Sequence, residues 1–179
     1  DSMSMDGSGE MTGDSTRCVH SSLDPEVTTG SVHTPIFQTS TYVQKDFSEH
    51  LGYEYARGDN PTRNALQRAL AEMESPHQEA YGFCFGSGMA AITTISQMLK
   101  QGDHVIACDD LYGGTVRLFD QIASRFGIET SYSPLKGGDL AELVRENSKI
   151  LWLESPTNPL LTVHDIKSLA AEAKEHGLI

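Results

Sequence analysis

Four short stretches of this chain carry residues whose types and spacing could do chemistry. In Gly86-Ser-Gly88-Met89, two glycines separate an apolar run, Glu79 to Phe85, from a segment with apolar residues at 91, 92, 95, 98 and 99. The first run reads as a buried strand and the second, by its period, as a helix. A strand that turns sharply into a helix needs residues without a Cβ. The turn then aims free backbone N–H groups and the positive end of a helix dipole at one point. An anion suits that point, and phosphate suits it best. Tyr55 and Arg57, two residues apart, offer a hydroxyl and a guanidinium that share a side if the loop is extended and can hold a phosphate together. Tyr112 precedes Gly113 and Gly114, which leave its ring room to face a ligand. In Glu154-Ser-Pro-Thr-Asn158-Pro the two prolines fix the backbone and present the Asn158 amide. A phosphate cup, a ring to stack and an amide for an aromatic oxygen describe a site for a planar phosphorylated cofactor.

Each stretch alone also fits an ordinary structural role. Tyr55 and Arg57 could sit ahead of a capped surface helix, Tyr112 could wedge under a Gly-Gly turn, and Glu154 and Asn158 could form a turn. Their convergence depends on the elements between them. Asn60 and Pro61 are a good N-cap and first-turn pair for a helix with Leu66, Leu70 and Met73 on one face, stopping before Pro76. Beyond the glycine turn, strands are predicted at Asp103 to Cys108, Ile128 to Tyr132 and Lys149 to Leu153. Between and after them, helices are predicted at Thr115 to Phe126, Asp139 to Asn147 and Asp165 to His176. The first of these should bury Leu118, Phe119, Ile122, Ala123 and Phe126; the last should turn Ile166, Leu169, Ala170 and Ala173 inward and close on Gly177. Alternating strands and helices mean an α/β fold with a mainly parallel sheet, whose ligands gather at the carboxyl ends of the strands. Leu178-Ile179 reads as the start of another strand, so the chain is expected to be the front part of a longer protein.

Composition narrows the class. The 179 residues carry a net charge of −12 and are 38% hydrophobic, which suits a soluble globular protein and argues against nucleic-acid or anionic-membrane partners. Three cysteines, Cys18, Cys84 and Cys108, have no paired spacing and read as reduced thiols, two of them in buried strand-like runs, of a cytoplasmic protein. No apolar run approaches the ~20 residues of a membrane span. Residues 1–15 are Ser, Gly, Met and Asp rich and read as a disordered leader or cloning remnant. Residues 16–60 have apolar islands without a closed pattern and read as an extended arm that packs on something else. Residues 61–179 form the first part of the ligand-binding domain.

One competing chemistry stays open on the residues themselves. Gly86-Ser-Gly88-Met-Ala-Ala91 satisfies G-x-G-x-x-A between strand and helix, and Asp109 follows about 20 residues on, where the ribose-binding acid of a dinucleotide site would stand. That reading leaves Tyr55, Arg57, Tyr112 and Asn158 without a role.

Tyr55-Ala-Arg57-Gly-Asp-Asn60-Pro-Thr-Arg63, Gly86-Ser-Gly88-Met-Ala-Ala, Asp109-Asp-Leu-Tyr112-Gly-Gly-Thr and Glu154-Ser-Pro-Thr-Asn158-Pro, in that order, resemble the Cys/Met-metabolism family of pyridoxal-phosphate enzymes from about Thr16 onward. The resemblance implies the aspartate-aminotransferase-like large domain, a carbon–sulfur lyase activity of the transsulfuration type on a sulfur amino acid such as cystathionine, and a homotetramer of dimers with shared sites. Carried over by position, the Gly88 and Met89 N–H groups would hold the phosphate of pyridoxal 5'-phosphate, with Tyr55 and Arg57 of the neighbouring subunit completing it. Tyr112 would stack on the ring and serve in proton transfer. Asn158 would meet the ring oxygen, with Glu154 in support. Ala56 departs from the serine common in the family. The resemblance also implies that the cofactor-anchoring lysine, the aspartate for the ring nitrogen and the arginine for the substrate carboxylate lie beyond Ile179, so these 179 residues alone are expected to be inactive.

Overall fold

A computed structural model of the chain describes residues 14–21, 25–47, 49–75, 78–136 and 139–179, in two units that divide between Cys84 and Phe85. The first unit contains α1 (Asp14–His20), a short antiparallel pair β1 (Gln44–Asp46) and β2 (Glu49–His50), and α2 (Pro61–Glu74). Helix α1 falls partly in the stretch expected to be extended. It lies against α2, and such packing overrides weak local propensity. The leader, through residue 13, lies outside the described residues.

Helix α2 starts where its residue types require. Asn60 Oδ1 accepts from the N–H of Thr62 at 2.9 Å and of Arg63 at 3.4 Å, and Pro61 opens the first turn. The same start holds the arm. Asn60 Nδ2 donates to Phe37 O at 3.1 Å, Thr62 Oγ1 donates to Pro35 O at 2.8 Å, and the Phe37 N–H donates to Thr62 Oγ1 at 2.9 Å. Leu66, Leu70 and Met73 are exposed within the described residues, and only Ala65 of α2 is buried.

The predicted strand over Glu79 to Phe85 does not form. Ladder hydrogen bonds need a neighbouring strand, and no described segment pairs with these residues. Instead the Cys84 N–H donates to Gln67 Oε1 at 3.0 Å. Gly82 lies so close to α2 that a Cβ there would fall 3.0 Å from the Gln67 carbonyl carbon. Tyr81, Phe83 and Phe85 stay exposed.

The second unit holds α3 (Gly88–Ser96), β3 (His104–Cys108), α4 (Gly113–Arg117), β4 (Glu129–Ser133), α5 (Asp139–Leu143), β5 (Ser148–Trp152) and α6 (Ile166–Glu175). The strands form a parallel sheet in the order β4-β3-β5, with Ile106 opposite Ser131 and Leu151. All five residues of the central strand are buried, as expected of a parallel strand covered on both faces. Ile106 and Cys108 pack with Leu111, Leu140, Leu169 and Ala173, and Val105 packs with Phe119, Ala123, Ile128 and Ile150.

Helix α4 continues through a wide π turn, Leu118–Ile122, and a tight turn, Ala123–Phe126, to Gly127 at φ 75°. The wide turn fits an extra residue and rotates the buried face. Phe119 and Ala123 therefore reach the core, whereas Ile122 and Phe126, expected there, are exposed. Phe119 meets Trp152 edge-on, with ring centres 5.4 Å apart. In α6, Asp165 caps the Ser168 N–H at 3.0 Å and Gly177 closes the helix at φ 69°. Leu169 and Ala173 point inward, but Ile166 and Ala170 do not. Past α6, the Ile179 N–H donates to Lys149 O at 3.0 Å and Ile179 O accepts from the Leu151 N–H at 2.9 Å, a strand-like pairing along β5. Among the described residues, no helix is long and apolar enough to cross a membrane. Cys108 is buried, Cys84 half-buried and Cys18 exposed, all as free thiols.

Candidate functional site

The glycine turn is capped by its own serine. Ser87, extended at φ −159°, accepts the Ala90 N–H on its hydroxyl at 3.2 Å and starts α3. The N–H groups of Gly88 and Met89 have no acceptor among the described residues, as the first turn of any helix leaves them. A Cβ at Gly86 or Gly88 would meet nothing within 4 Å. The space before the turn is open, so neither glycine is there to avoid a clash with neighbouring protein.

The loop after β3 brings Tyr112 to the cup. Tyr112 is 45% exposed, and its ring lies beside the Met89 side chain with Gly114 beneath both. A Cβ at Gly114 would fall 2.8 Å from Met89 Sδ and closer still to Tyr112 Cε1. A side chain at Gly114 would thus force the Tyr112 ring or the Met89 side chain to shift. The loop after β5 reaches the same place: the Tyr112 N–H donates to Glu154 Oε2 at 2.9 Å. Asn158 is exposed within that loop. Thr157, beside it, is fully buried and donates to Asp110 Oδ2, which also accepts the Leu160 N–H at 3.1 Å. Peptide bonds Ser155-Pro156 and Asn158-Pro159 are cis. Cup, ring and amide loop thus share the carboxyl edge of the sheet.

Two features of this edge were not read from sequence. Glu154, expected in support of Asn158, gives its carboxylate to the Tyr112 backbone. Asp110 and Thr157, both inside the quoted motifs, tie the two loops together. A threonine between two prolines and an acid two residues before the tyrosine were the available signals. Asp109, the acid of the competing reading, is exposed, and its N–H donates to Ser133 O at 3.0 Å.

In the first unit, Tyr55 and Arg57 do meet, by a different geometry from the one expected. The Gly58 and Asp59 N–H groups both donate to Tyr55 O at 3.0 Å, so the segment is a turn rather than extended. That turn brings the Arg57 guanidinium carbon to 5.0 Å from the centre of the Tyr55 ring. Arg63 braces it from α2, with Nη1 donating to Ala56 O at 3.0 Å and Nη2 to Gly58 O at 2.7 Å. Both Tyr55 and Arg57 are exposed, so their polar ends are open to a ligand.

At the amino edge of the sheet lies a separate polar cluster. His104, without exposed surface, has Nδ1 2.8 Å from Ser148 Oγ and Nε2 2.9 Å from Ser131 Oγ. Arg145 donates to Glu129 Oε2 at 2.7 Å and to Ser131 Oγ at 3.0 Å, and its N–H donates to Ser148 Oγ at 2.8 Å. Burial first, and then the Arg145 charge, hold the His104 pKa below its ordinary 6.5, with Glu129 opposing.

A family model described as Cys/Met metabolism PLP-dependent enzyme matches residues 15–179. The chain is 44% identical over 167 residues to a probable cystathionine γ-synthase of Herpetosiphon aurantiacus, covering 93% of this chain and 51% of the relative. It is 44% identical over 166 residues to a cystathionine β-lyase of Coxiella burnetii, covering 92% and 42%. Among solved structures it superposes on cystathionine γ-lyase from Lactobacillus plantarum complexed with L-serine, with TM-score 0.87 and 35% identity, over 94% of this chain and 43% of that one. The chain therefore spans about half the length of the curated relatives it matches.

Proposed function

Because the chain belongs to the Cys/Met metabolism PLP-dependent enzyme family, we propose that the whole protein is a pyridoxal-phosphate-dependent carbon–sulfur lyase of transsulfuration. Within that class the reading is a cystathionine γ-lyase, which converts cystathionine to cysteine, 2-oxobutanoate and ammonia. The observation that carries it is the meeting of Met89 and Tyr112 over Gly114, which sets a helix start with free N–H groups beside an exposed aromatic ring. A phosphate and a flat ring of one ligand fit that pair, and the open space before Gly86 and Gly88 leaves room for the phosphate.

When bound, pyridoxal phosphate supplies the electron-withdrawing ring that lets the α-proton of an amino acid leave. The residues of this chain do the holding. Gly88 and Met89 donate their N–H groups to the phosphate, with the dipole of α3 in support. Arg57 and Tyr55, reaching in from the neighbouring subunit, add charge-assisted contacts. Tyr112 lays its ring on the cofactor and moves a proton through its hydroxyl. Asn158 donates its amide to the ring oxygen, and Glu154 keeps the Tyr112 backbone in place. The enzyme works in the cytoplasm as a homotetramer of dimers whose sites are shared.

The names of the relatives favour a second reading inside the same family, a β-lyase or a γ-synthase. Product analysis of the full-length protein on cystathionine separates them. Cysteine with 2-oxobutanoate supports the γ-lyase; homocysteine with pyruvate means the other carbon–sulfur bond is cut. No cleavage of cystathionine, with its formation from cysteine and an activated homoserine, means a synthase.

A further inference from the structure

We infer that Asp110 and Thr157 are positioning residues of the cofactor site, fixing the loop that carries Tyr112 against the loop that carries Asn158; this rests on the reading of the site given above. The Thr157 hydroxyl is used twice. It donates to Asp110 Oδ2 and accepts the Thr162 N–H at 2.8 Å. The Thr157 N–H donates to Thr162 O at 2.9 Å, and Thr157 O accepts the Leu161 N–H at 3.1 Å. Residues 157–162 are thus folded around one buried side chain. Asp110 Oδ2 takes a second donor from this loop, the Leu160 N–H at 3.1 Å. In return, Glu154 from the β5 side accepts the Tyr112 N–H at 2.9 Å. The two loops exchange carboxylates, each loop offering an acid to donors of the other.

This arrangement does more than close a loop. Hydrogen bonds to an ionised acceptor are about twice as strong as neutral ones, and surface loops without such ties are mobile. Asp110 lies two residues from Tyr112, and Thr157 is adjacent to Asn158, so the chain has little slack between each tie and the group it serves. A ring and an amide that must engage one flat cofactor need their separation held to a fraction of an ångström. Neither Asp110 nor Thr157 need touch the cofactor to set it.

The experiment uses the full-length protein loaded with pyridoxal phosphate. Thr157→Val removes the hydroxyl at nearly constant shape, and Thr157→Ser keeps it. Thr157→Val is expected to change the visible circular dichroism of the bound cofactor and lower kcat by roughly 10- to 100-fold, the scale of a small misplacement of reacting groups. Thr157→Ser should restore both signals. Asp110→Ala should do at least as much harm as Thr157→Val, since it also loses the Leu160 N–H contact, and the double variant should fall short of the sum of the two, because they share the Thr157–Asp110 bond. Wild-type dichroism and kcat in Thr157→Val, with only a lower thermal midpoint, would overturn the inference, for the tie would then serve stability alone. Full-length wild type that takes up no pyridoxal phosphate would instead sink the functional reading, and the inference with it. Should Asp110→Ala not fold, the Thr157 pair and Asp110→Asn, which keeps an acceptor oxygen, decide the matter by the same signals.

Discussion

The backbone N–H of Tyr112 donates to Glu154 Oε2 over 2.9 Å, joining the loops that follow two neighbouring strands. A peptide N–H given to a carboxylate is a charge-assisted bond, worth about 1.5–3 kcal/mol where water is excluded. Here Tyr112 is exposed, and the lower end applies. Glu154→Ala should therefore loosen the Tyr112 loop and weaken cofactor binding several-fold, whereas Glu154→Gln, with an acceptor oxygen, should recover most of it. A cofactor titration of the two full-length variants is the check, and equal losses would mean that the negative charge itself matters.

Tyr112 has two proposed jobs that one conservative change separates. Phenylalanine keeps the ring face and loses the hydroxyl. Tyr112→Phe should bind cofactor within a few-fold of wild type while the rate falls roughly 10²-fold, the low end for loss of an acid–base group. Tyr112→Ala should lose both. Steady-state rates on cystathionine beside a cofactor titration decide this, and a fully active Phe variant would leave the ring as a stacking platform only.

Gly114→Ala places a methyl between Met89 Sδ and the Tyr112 ring. Overpacking of this kind costs about 1–3 kcal/mol, and here the displaced groups are the cup and the ring. The thermal midpoint should fall, and cofactor uptake should fall with it. Gly113→Ala is the control, since a Cβ there would sit 3.4 Å from the flexible end of Arg117. Similar behaviour of the two variants would argue against close approach at Gly114.

Arg57 stands over the Tyr55 ring with no side-chain acceptor of its own among the described residues. Arg57→Ala in the full-length enzyme should weaken cofactor retention by roughly 10- to 100-fold, the equivalent of a charge-assisted phosphate contact. If it serves the neighbour's site, mixing this variant with subunits that lack the cofactor-anchoring lysine should regenerate some intact sites. Subunit exchange without recovered activity would place Tyr55 and Arg57 in the site of their own chain.

His104 is expected to lower stability in acid. Its folded pKa lies below 6.5, because burial and Arg145 oppose the charged form. Between the folded and unfolded values the unfolded chain binds more protons, so stability rises with pH across that window. The contribution is complete above about 6.5 and is lost as pH falls below it. His104→Gln should flatten the pH dependence of the denaturation midpoint between neutral and mildly acidic buffer. A slope as steep as that of wild type would assign the acid sensitivity to other groups.

The sequence alone determined the parts that rest on local chemistry. Asn60 and Pro61 start a helix because a side-chain acceptor and a fixed φ are intrinsic to those residues, and Gly177 ends one because glycine takes positive φ without strain. The three parallel strands follow from apolar runs, the start of α3 at Gly88 from the glycine turn and Ser87, and four motifs in order were enough to reach the family. Tertiary structure decided what depends on a neighbour. Glu79 to Phe85 has the composition of a strand, but a strand exists only where another segment pairs with it. The π turn at Leu118–Ile122 removed Ile122 and Phe126 from the core, which a regular helical period could not foresee. Arg57 reaches Tyr55 through a turn closed by two N–H groups on one carbonyl, not through an extended loop. Most of all, the contacts of Asp110 with Thr157 and of Glu154 with Tyr112 join residues 47 and 42 positions apart. Their types were plain in the motifs, but only the parallel pairing of β3 and β5 sets those loops side by side.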